Sequence, residues 1–385
     1  MNQSPLRAVA AACICAVGLL FVAGVFAMSL TDKDVADRDF VQYWAAERQL
    51  VQGANPYDGA AILRIEQSVG LKRDEPFITF SPPVAFFFAL PIGLMSAKTG
   101  LIVWLSTLFA CLAASLGLLW RLHGCPDSLL YLFGFLFPPA VMCLKAGQIG
   151  IFMLLGVVLF LTFHKSRPFL AGAALLPCAL KPHLFVPVAV VLILWEASRK
   201  SYRVLTGFVT TLLCSSGLVL LFDRHVWSHY AQMMSSERIL HQFVPTLGAV
   251  MRMHVDADAG WLQFIPEIVC CGWAVWYFWT RRKVWNWMDQ GLLLMIVAVA
   301  CAPYAFFTDE SIVLPAVLTG VMQAIHTRRS LLPIVAIAGA ALIEVFRSVQ
   351  IMSPYYLWTT PAWIAWYLYA TRGKRLPADA AAAAD

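Results

Sequence analysis

Hydrophobic and polar residues alternate along this chain on the scale of whole helices. Apolar runs able to cross, or nearly cross, about 30 Å of hydrocarbon recur from end to end. They predict helices over roughly 7–30, 98–120, 128–144, 147–164, 203–222, 264–280, 288–306, 310–326, 331–350 and 355–371. Two shorter runs, 168–180 and 183–196, are interrupted by Lys181-Pro182, and a third, 82–95, follows the first long polar segment. A bilayer tolerates helices that short or broken only where other helices bury them or where they line a cavity. The 8–30 run exceeds the roughly 7–15 residues of a signal-peptide core, and Arg7 alone is a weak basic flank, so it reads as a retained first transmembrane helix.

Two long polar segments, 31–80 and 223–262, interrupt the apolar pattern. Within the first, Phe40, Tyr43, Trp44 and Leu50 are spaced as in an amphipathic helix lying in the membrane interface over 39–51. Asp39 suits its N-cap and Gly53 its stop. A second short helix is expected near 60–69, capped by Asp58, and Trp44 reads as a member of an interfacial aromatic belt.

Composition narrows the class. Sixty per cent of residues are hydrophobic and 13% charged, and the mean hydropathy is +0.72. A soluble domain carries about 25% charged residues. The fold class is therefore all-α and polytopic, with about 10–12 transmembrane helices. The chain reads as one integral membrane domain over 1–376 followed by an alanine-rich tail, 377–385.

The net charge of +6 does not point to nucleic acid, because the basic residues sit in short clusters between apolar runs: Arg199/Lys200/Arg203, Arg281–Lys283 and Arg372/Lys374/Arg375. With the N-terminus inside, every cluster falls on the cytoplasmic side and both polar segments fall outside. Segment 31–80 carries nine acids against six bases, as an external segment allows. Most of the ten cysteines lie within apolar runs, without a C-x-x-C or a histidine at metal-ligand spacing, and read as small core residues. The chain has no glycine-rich phosphate loop, H-E-x-x-H, G-x-S-x-G or internal repeat of 20–50 residues.

This topology collects the out-of-place polar residues at the outer face: segment 31–80, Lys145 and Gln148, Lys181 and His183, segment 223–262, Tyr304 and Asp309, and 350–356. Polar groups at membrane depth are costly, so their collection on one side reads as a lined cavity.

Asp39, then Tyr43-Trp44-Ala45-Ala46, Gly53-Ala54-Asn55-Pro56-Tyr57-Asp58 and Phe80-Ser81-Pro82-Pro83 together resemble glycosyltransferase family 87. Gly147-Gln148-Ile149-Gly150, Lys181-Pro182, Pro303-Tyr304-Ala305-Phe306, Asp309 and Pro315 extend the likeness over roughly 7–325. The resemblance implies a GT-C fold in the bacterial inner membrane, with its active site facing the periplasm. It implies a polyprenyl-phosphate sugar as donor, a glycan or glycolipid as acceptor, and inversion at the anomeric carbon. Some mannosyltransferases of the family carry Ser where this chain has Ala302, with histidine soon after, so the resemblance leaves the hexose unspecified.

Under this reading Asp39 is the catalytic base, with Asp37 the runner-up. A lipid-phosphate leaving group needs cationic or hydrogen-bonding contacts, and Lys181, His183, Lys145, Gln148 and Arg252 are candidates, with Arg238 an equivalent base. Asp309 can orient the acceptor sugar, help to hold a metal or cap the following helix; no cofactor is implied. Tyr43 can stack on a sugar, and Tyr304, with Asp309 at the outer end of a helix pair, is a candidate substrate contact. Two other readings stay open: a transporter or flippase for a lipid-linked or polar substrate, and a polymerase or ligase of surface glycans.

Overall fold

Several of the helices begin with a proline in their first turn. In a computed structural model of the chain, residues 32–126, 129–236, 243–347 and 350–372 are described, and all regular structure among them is helical. The expected first helix over 7–30, Arg238, Lys374, Arg375 and the alanine-rich tail lie outside the described residues. The predicted run 98–120 is one helix, Ala97–Leu122, and 203–222 is Arg203–Leu220. These two are long and apolar enough to cross a membrane, and only 33% and 22% of their apolar windows are buried. A core helix of a soluble protein would be covered on most sides. Leu213 on the second is 66% exposed.

The other apolar runs are shorter or subdivided. The 128–144 run divides into a 3-10 stretch, Leu129–Leu136, and a helix, Pro138–Ala146. The 168–180 run divides into Pro168–Ala173 and a 3-10 turn, Leu176–Leu180. The 288–306 run yields a π-helical turn, Trp287–Gly291, that continues into Leu292–Cys301, and Pro303 follows its end. Proline lacks an N–H, so it fits the first turn of a helix but ends one that would otherwise run through it.

The chain forms two compact units. Among the described residues, the first gathers those up to Cys111, Leu144–Gln148 and those of Leu212–Glu237; the second holds those of Leu112–Cys143, Ile149–Thr211 and those that follow Arg238.

In the first unit the helix Phe40–Val51 packs along Phe86–Gly93 and against Gly59–Ser68. Trp44 is buried here rather than standing in a belt, with its indole N–H donating to the carbonyl of Met95 at 3.1 Å. Arg48 donates to the carbonyls of Gly93 and Met95, both at 3.4 Å, and so places a cation at the carbonyl end of Phe86–Gly93. Gly53 closes the helix at φ +71°, as its position suggested. Asp58 caps the next helix, accepting from the N–H groups of Ala60 and Ala61. The helix Val226–Ser236 packs against the turn Pro83–Ala85 and sets Tyr230 against Tyr57, with ring centroids 5.5 Å apart.

Two acids of this unit are not solvated. Glu47 and Glu66 are each 0% exposed. Among the described residues neither Glu47 oxygen has a hydrogen-bond partner, and burial holds its carboxyl well above the usual range. Burial also raises Glu66 to about 7, against the opposing pull of the Phe77 N–H and of Arg73.

In the second unit Gly150–Phe163 is apolar on nearly every face, with ten of its 14 residues buried, and it runs through the middle of the packing. It packs against Pro168–Ala173, Leu176–Leu180 and the 3-10 segment Phe307–Val313. Pro168–Ala173 and Arg203–Leu220 meet through a reciprocal glycine contact. A Cβ on Gly172 would run into the carbonyl of Val204, and one on Gly207 into that of Phe169. Small residues of this kind let helix backbones approach closely where no hydrophobic drive separates helix from lipid. Leu314–His326 carries the last described helix, Thr359–Thr371, and Val186–Arg199 packs on Ile265–Arg281.

The Glu66 shift predicts a pH dependence of stability. Its carboxyl ionises near 4.5 in the unfolded chain and near 7 in the folded one. Stability present below pH 4.5 is therefore lost as pH rises through about 7, by up to about 3 kcal/mol. Glu47 acts in the same direction. Thermal melts of the detergent-solubilised protein from pH 4.5 to 8 are expected to fall with rising pH, and Glu66→Gln to flatten the curve.

Candidate active site

Asp39 stands at the N-cap position of Phe40–Val51, yet its side chain makes no capping bond and its own backbone is helical (φ −61°, ψ −17°). Its carboxylate faces Gln148 instead, whose amide donates to Oδ2 at 2.7 Å. The other end of the same amide accepts from the Tyr43 hydroxyl at 2.8 Å. Tyr43, Gln148 and Asp39 thus form a hydrogen-bonded series, in which Tyr43 fixes the amide and the amide fixes the carboxylate. Tyr43 and Gln148 are buried, while Asp39 is half-exposed.

Gln148 is held in this position by its neighbours. Gly147 adopts φ +73°, and a Cβ there would stand 2.9 Å from the Phe40 Cβ. Its carbonyl accepts from the Trp104 indole at 2.8 Å, and Trp104 stacks on Tyr43 with centroids 5.6 Å apart. Arg38 donates to the carbonyl of Lys145. Burial lowers the Arg38 pKa against the opposing attraction of Asp34. Lys145 itself is exposed, as is Asp37. Arg38 had not been singled out in the sequence; only its adjacency to Asp39 hinted at it.

In the second unit the structure brings together Lys181, Asp309, His183 and Tyr304. The Lys181 ammonium lies 2.8 Å from both oxygens of Asp309, and both residues are buried. Asp309 also accepts from the N–H of Phe306 at 2.8 Å, and the Lys181 ammonium lies 4.4 Å from the centre of the Phe306 ring. Asp309 sits inside the 3-10 segment Phe307–Val313 rather than at the N-cap of Leu314–His326. Gly150 brings its helix directly onto the carbonyl of Thr308, where a Cβ would collide. The His183 ring meets Tyr304 edge to face at 5.8 Å, and its Nε2 is buried with no hydrogen-bond partner among the described residues.

The same turn is held from its other side. The carbonyl of Pro303 accepts from Gln263 at 2.5 Å and from Thr246 at 3.4 Å. Arg252 is buried and donates to the carbonyl of Ala257; among the described residues no ion pair joins it to the Lys181 group. Glu310, next to Asp309, also escaped the sequence reading. It accepts from Thr359 at 2.6 Å and from the Trp363 indole at 2.8 Å, and so docks the last described helix. Among the described residues no three His, Cys, Asp or Glu side chains stand together as a metal site.

Residues 80–303 of the chain match glycosyltransferase family 87. The chain belongs to that family. The glycosyltransferase is thus an enzyme with a sugar donor and an acceptor, and the family membership sets the transporter reading aside. Its exposed apolar helices point to membrane association. The matched region takes in Lys145, Gln148, Lys181, His183 and Arg252; Asp39 and Tyr43 precede it, and Tyr304 and Asp309 follow it. No curated protein and no solved structure matches the chain.

The Lys181–Asp309 pair predicts a characteristic double-mutant result. Removing one partner strands a buried charge and costs about 3–5 kcal/mol, whereas removing both does not. Lys181→Met and Asp309→Asn are each expected to lower the melting temperature of the purified glycosyltransferase. The double variant is expected to recover most of that loss in the same assay.

Proposed function

We propose that this glycosyltransferase moves a hexose from a polyprenyl-phosphate sugar to a glycan or glycolipid acceptor at the outer face of the bacterial inner membrane. Asp39 is the general base. An acceptor hydroxyl attacks the anomeric carbon, Asp39 takes the hydroxyl proton, and the bond to the phosphate oxygen breaks on the opposite side. The products are an inverted glycoside and a polyprenyl phosphate.

The observation that carries this reading is the hydrogen bond from Gln148 to Asp39 at 2.7 Å. A carboxylate that merely capped its helix would turn back to the N–H groups of the first turn. This one is oriented by an amide that is itself fixed by Tyr43, as pre-organised general bases are. Gln148 is a neutral donor, so it positions the carboxylate without being an ion-pair partner. Arg38 and Lys145, close by in the same unit, are the cations assigned to the leaving phosphate.

In the second unit Lys181 is assigned first to Asp309, and together they hold the turn that carries Tyr304. His183 and Tyr304 are the substrate-contacting groups there, since a buried ring nitrogen without a partner is one that a ligand hydroxyl satisfies. Arg252 remains a candidate phosphate contact. The architecture is of GT-C type with about 10–12 transmembrane helices, counting the 7–30 run and the short proline-broken helices. Basic clusters at alternate helix ends support the assignment of both polar segments to the periplasm.

The test is transfer of radiolabelled sugar from a panel of polyprenyl-phosphate sugars into membrane glycans. Asp39→Asn is expected to lower kcat by about 10²–10⁴-fold, with expression unchanged. Gln148→Leu is expected to lower kcat about tenfold with little change in donor KM, because it misorients the base without removing it. Full activity in Asp39→Asn with loss in Asp37→Asn would move the base to Asp37.

A further inference from the structure

The first unit contains a second feature that the proposed chemistry does not use. The segment 55–78 and the helix Val226–Ser236 wall a cavity of about 490 Å³. That volume lies inside the roughly 300–1,000 Å³ range of small-ligand sites. The helix turns His229, Gln232, Met233 and Ser236 toward it. These positions are i, i+3, i+4 and i+7, which is one helical face. Met233 is buried, His229 is half-buried, and Gln232 and Ser236 stand exposed at the rim.

His229 is oriented for a task. Its Nδ1 lies 2.7 Å from Oδ2 of Asp223, and Asp223 is itself fixed by the N–H of His225, which donates to Oδ1 at 2.8 Å. With Nδ1 committed, Nε2 is the nitrogen available to a ligand. Across the cavity Leu63, Pro76 and Ile78 give the apolar wall, while Tyr57 is buried behind it, its hydroxyl donating to the carbonyl of Ser81 at 2.8 Å and its ring held against Phe86 and Tyr230. Asn55 uses its carbonyl on the N–H of Tyr57, which leaves its NH₂ as the group it can offer.

The lining also says what the ligand is not. It contains no Lys or Arg, and its one acid, Asp58, is engaged in capping a helix. An anionic phosphate would find no counter-charge there. A neutral polyhydroxyl compound would find amide, imidazole and hydroxyl groups on one wall and apolar surface on the other. We propose that this cavity binds a neutral sugar unit of the acceptor glycan. His229 and Gln232 pair with its hydroxyls, and Leu63, Pro76 and Ile78 pack on its C–H face. Asp223 is a positioning residue that acts through His229. The assignment to the acceptor rests on the glycosyl-transfer reading above.

The test is saturation-transfer NMR on the full chain in nanodiscs, with neutral gluco- and manno-oligosaccharides as probes and inorganic phosphate as competitor. Two variants are compared: His229→Phe removes the imidazole, and Ala60→Trp fills the cavity from an exposed rim position without touching the Asp223–His229 pair. Oligosaccharide binding that phosphate does not displace, and that weakens about tenfold or more in both variants, is the expected result. No binding by the wild type, binding unchanged in both variants, or displacement by phosphate overturns it.

Sugar-transfer kinetics keep the two readings apart. Ala60→Trp is expected to raise acceptor KM about tenfold with donor KM unchanged. Normal transfer with unaltered acceptor KM in that variant defeats the acceptor site and leaves the transferase reading standing. Failure of the wild type to transfer from any donor, with oligosaccharide still bound in the cavity, defeats the transfer reading alone.

Discussion

A backbone that leaves the helix in a water-poor setting must still pair its N–H and C=O groups, and this chain leaves the helix often. Its prolines break apolar runs that would otherwise be continuous, and the freed groups at the breaks are met by side chains. The Phe306 N–H is taken by Asp309, and the Pro303 carbonyl by Gln263 and Thr246. Trp104 takes the carbonyl of Gly147, Trp44 that of Met95 and Arg38 that of Lys145. Asp39, Gln148, Lys181, His183 and Tyr304 sit at or beside such breaks. Irregular backbone and polar side chains therefore come as a set: the breaks require polar partners, and several of the candidate site residues are among them.

The polar segment after the first apolar run illustrates how burial redistributes charge. Counted along the sequence, its acids exceed its bases and suggest a solvated external loop. In the fold, Glu47 and Glu66 are enclosed and their carboxyls are held toward the neutral form. Asp58 is used by a helix end, and Asp39 is oriented by an amide. The segment behaves as a folded layer with its own core, in which Tyr57, Phe86 and Tyr230 meet.

Much of the helix plan was legible because hydrophobic runs and their punctuation are local. Phe40–Val51, Gly59–Ser68, Ala97–Leu122 and Arg203–Leu220 lie close to where apolar spacing, Asp58 and Gly53 put them. The continuous run expected over 128–144 did not hold, and that over 288–306 stops at Cys301, because hydropathy alone does not register the missing N–H of Pro138, Pro139 and Pro303. Trp44 was misplaced for a related reason. An indole suits a membrane interface and a packed helix pair equally well, and only the approach of Phe86–Gly93 decides between them.

Of the candidate site, the residue types were readable and their pairings were not. The chain showed by itself an all-helical, strongly apolar protein with carboxylates, cations and amides at a few polar breaks, because composition and periodicity depend on near neighbours. That Gln148 orients Asp39, 109 positions away, and that Lys181 is neutralised by Asp309, 128 positions away, was decided by tertiary structure alone. Such contacts depend on which helices pack together, and hydrophobic packing is non-directional. A sequence pattern can state that a helix has an apolar face but not which other helix will cover it.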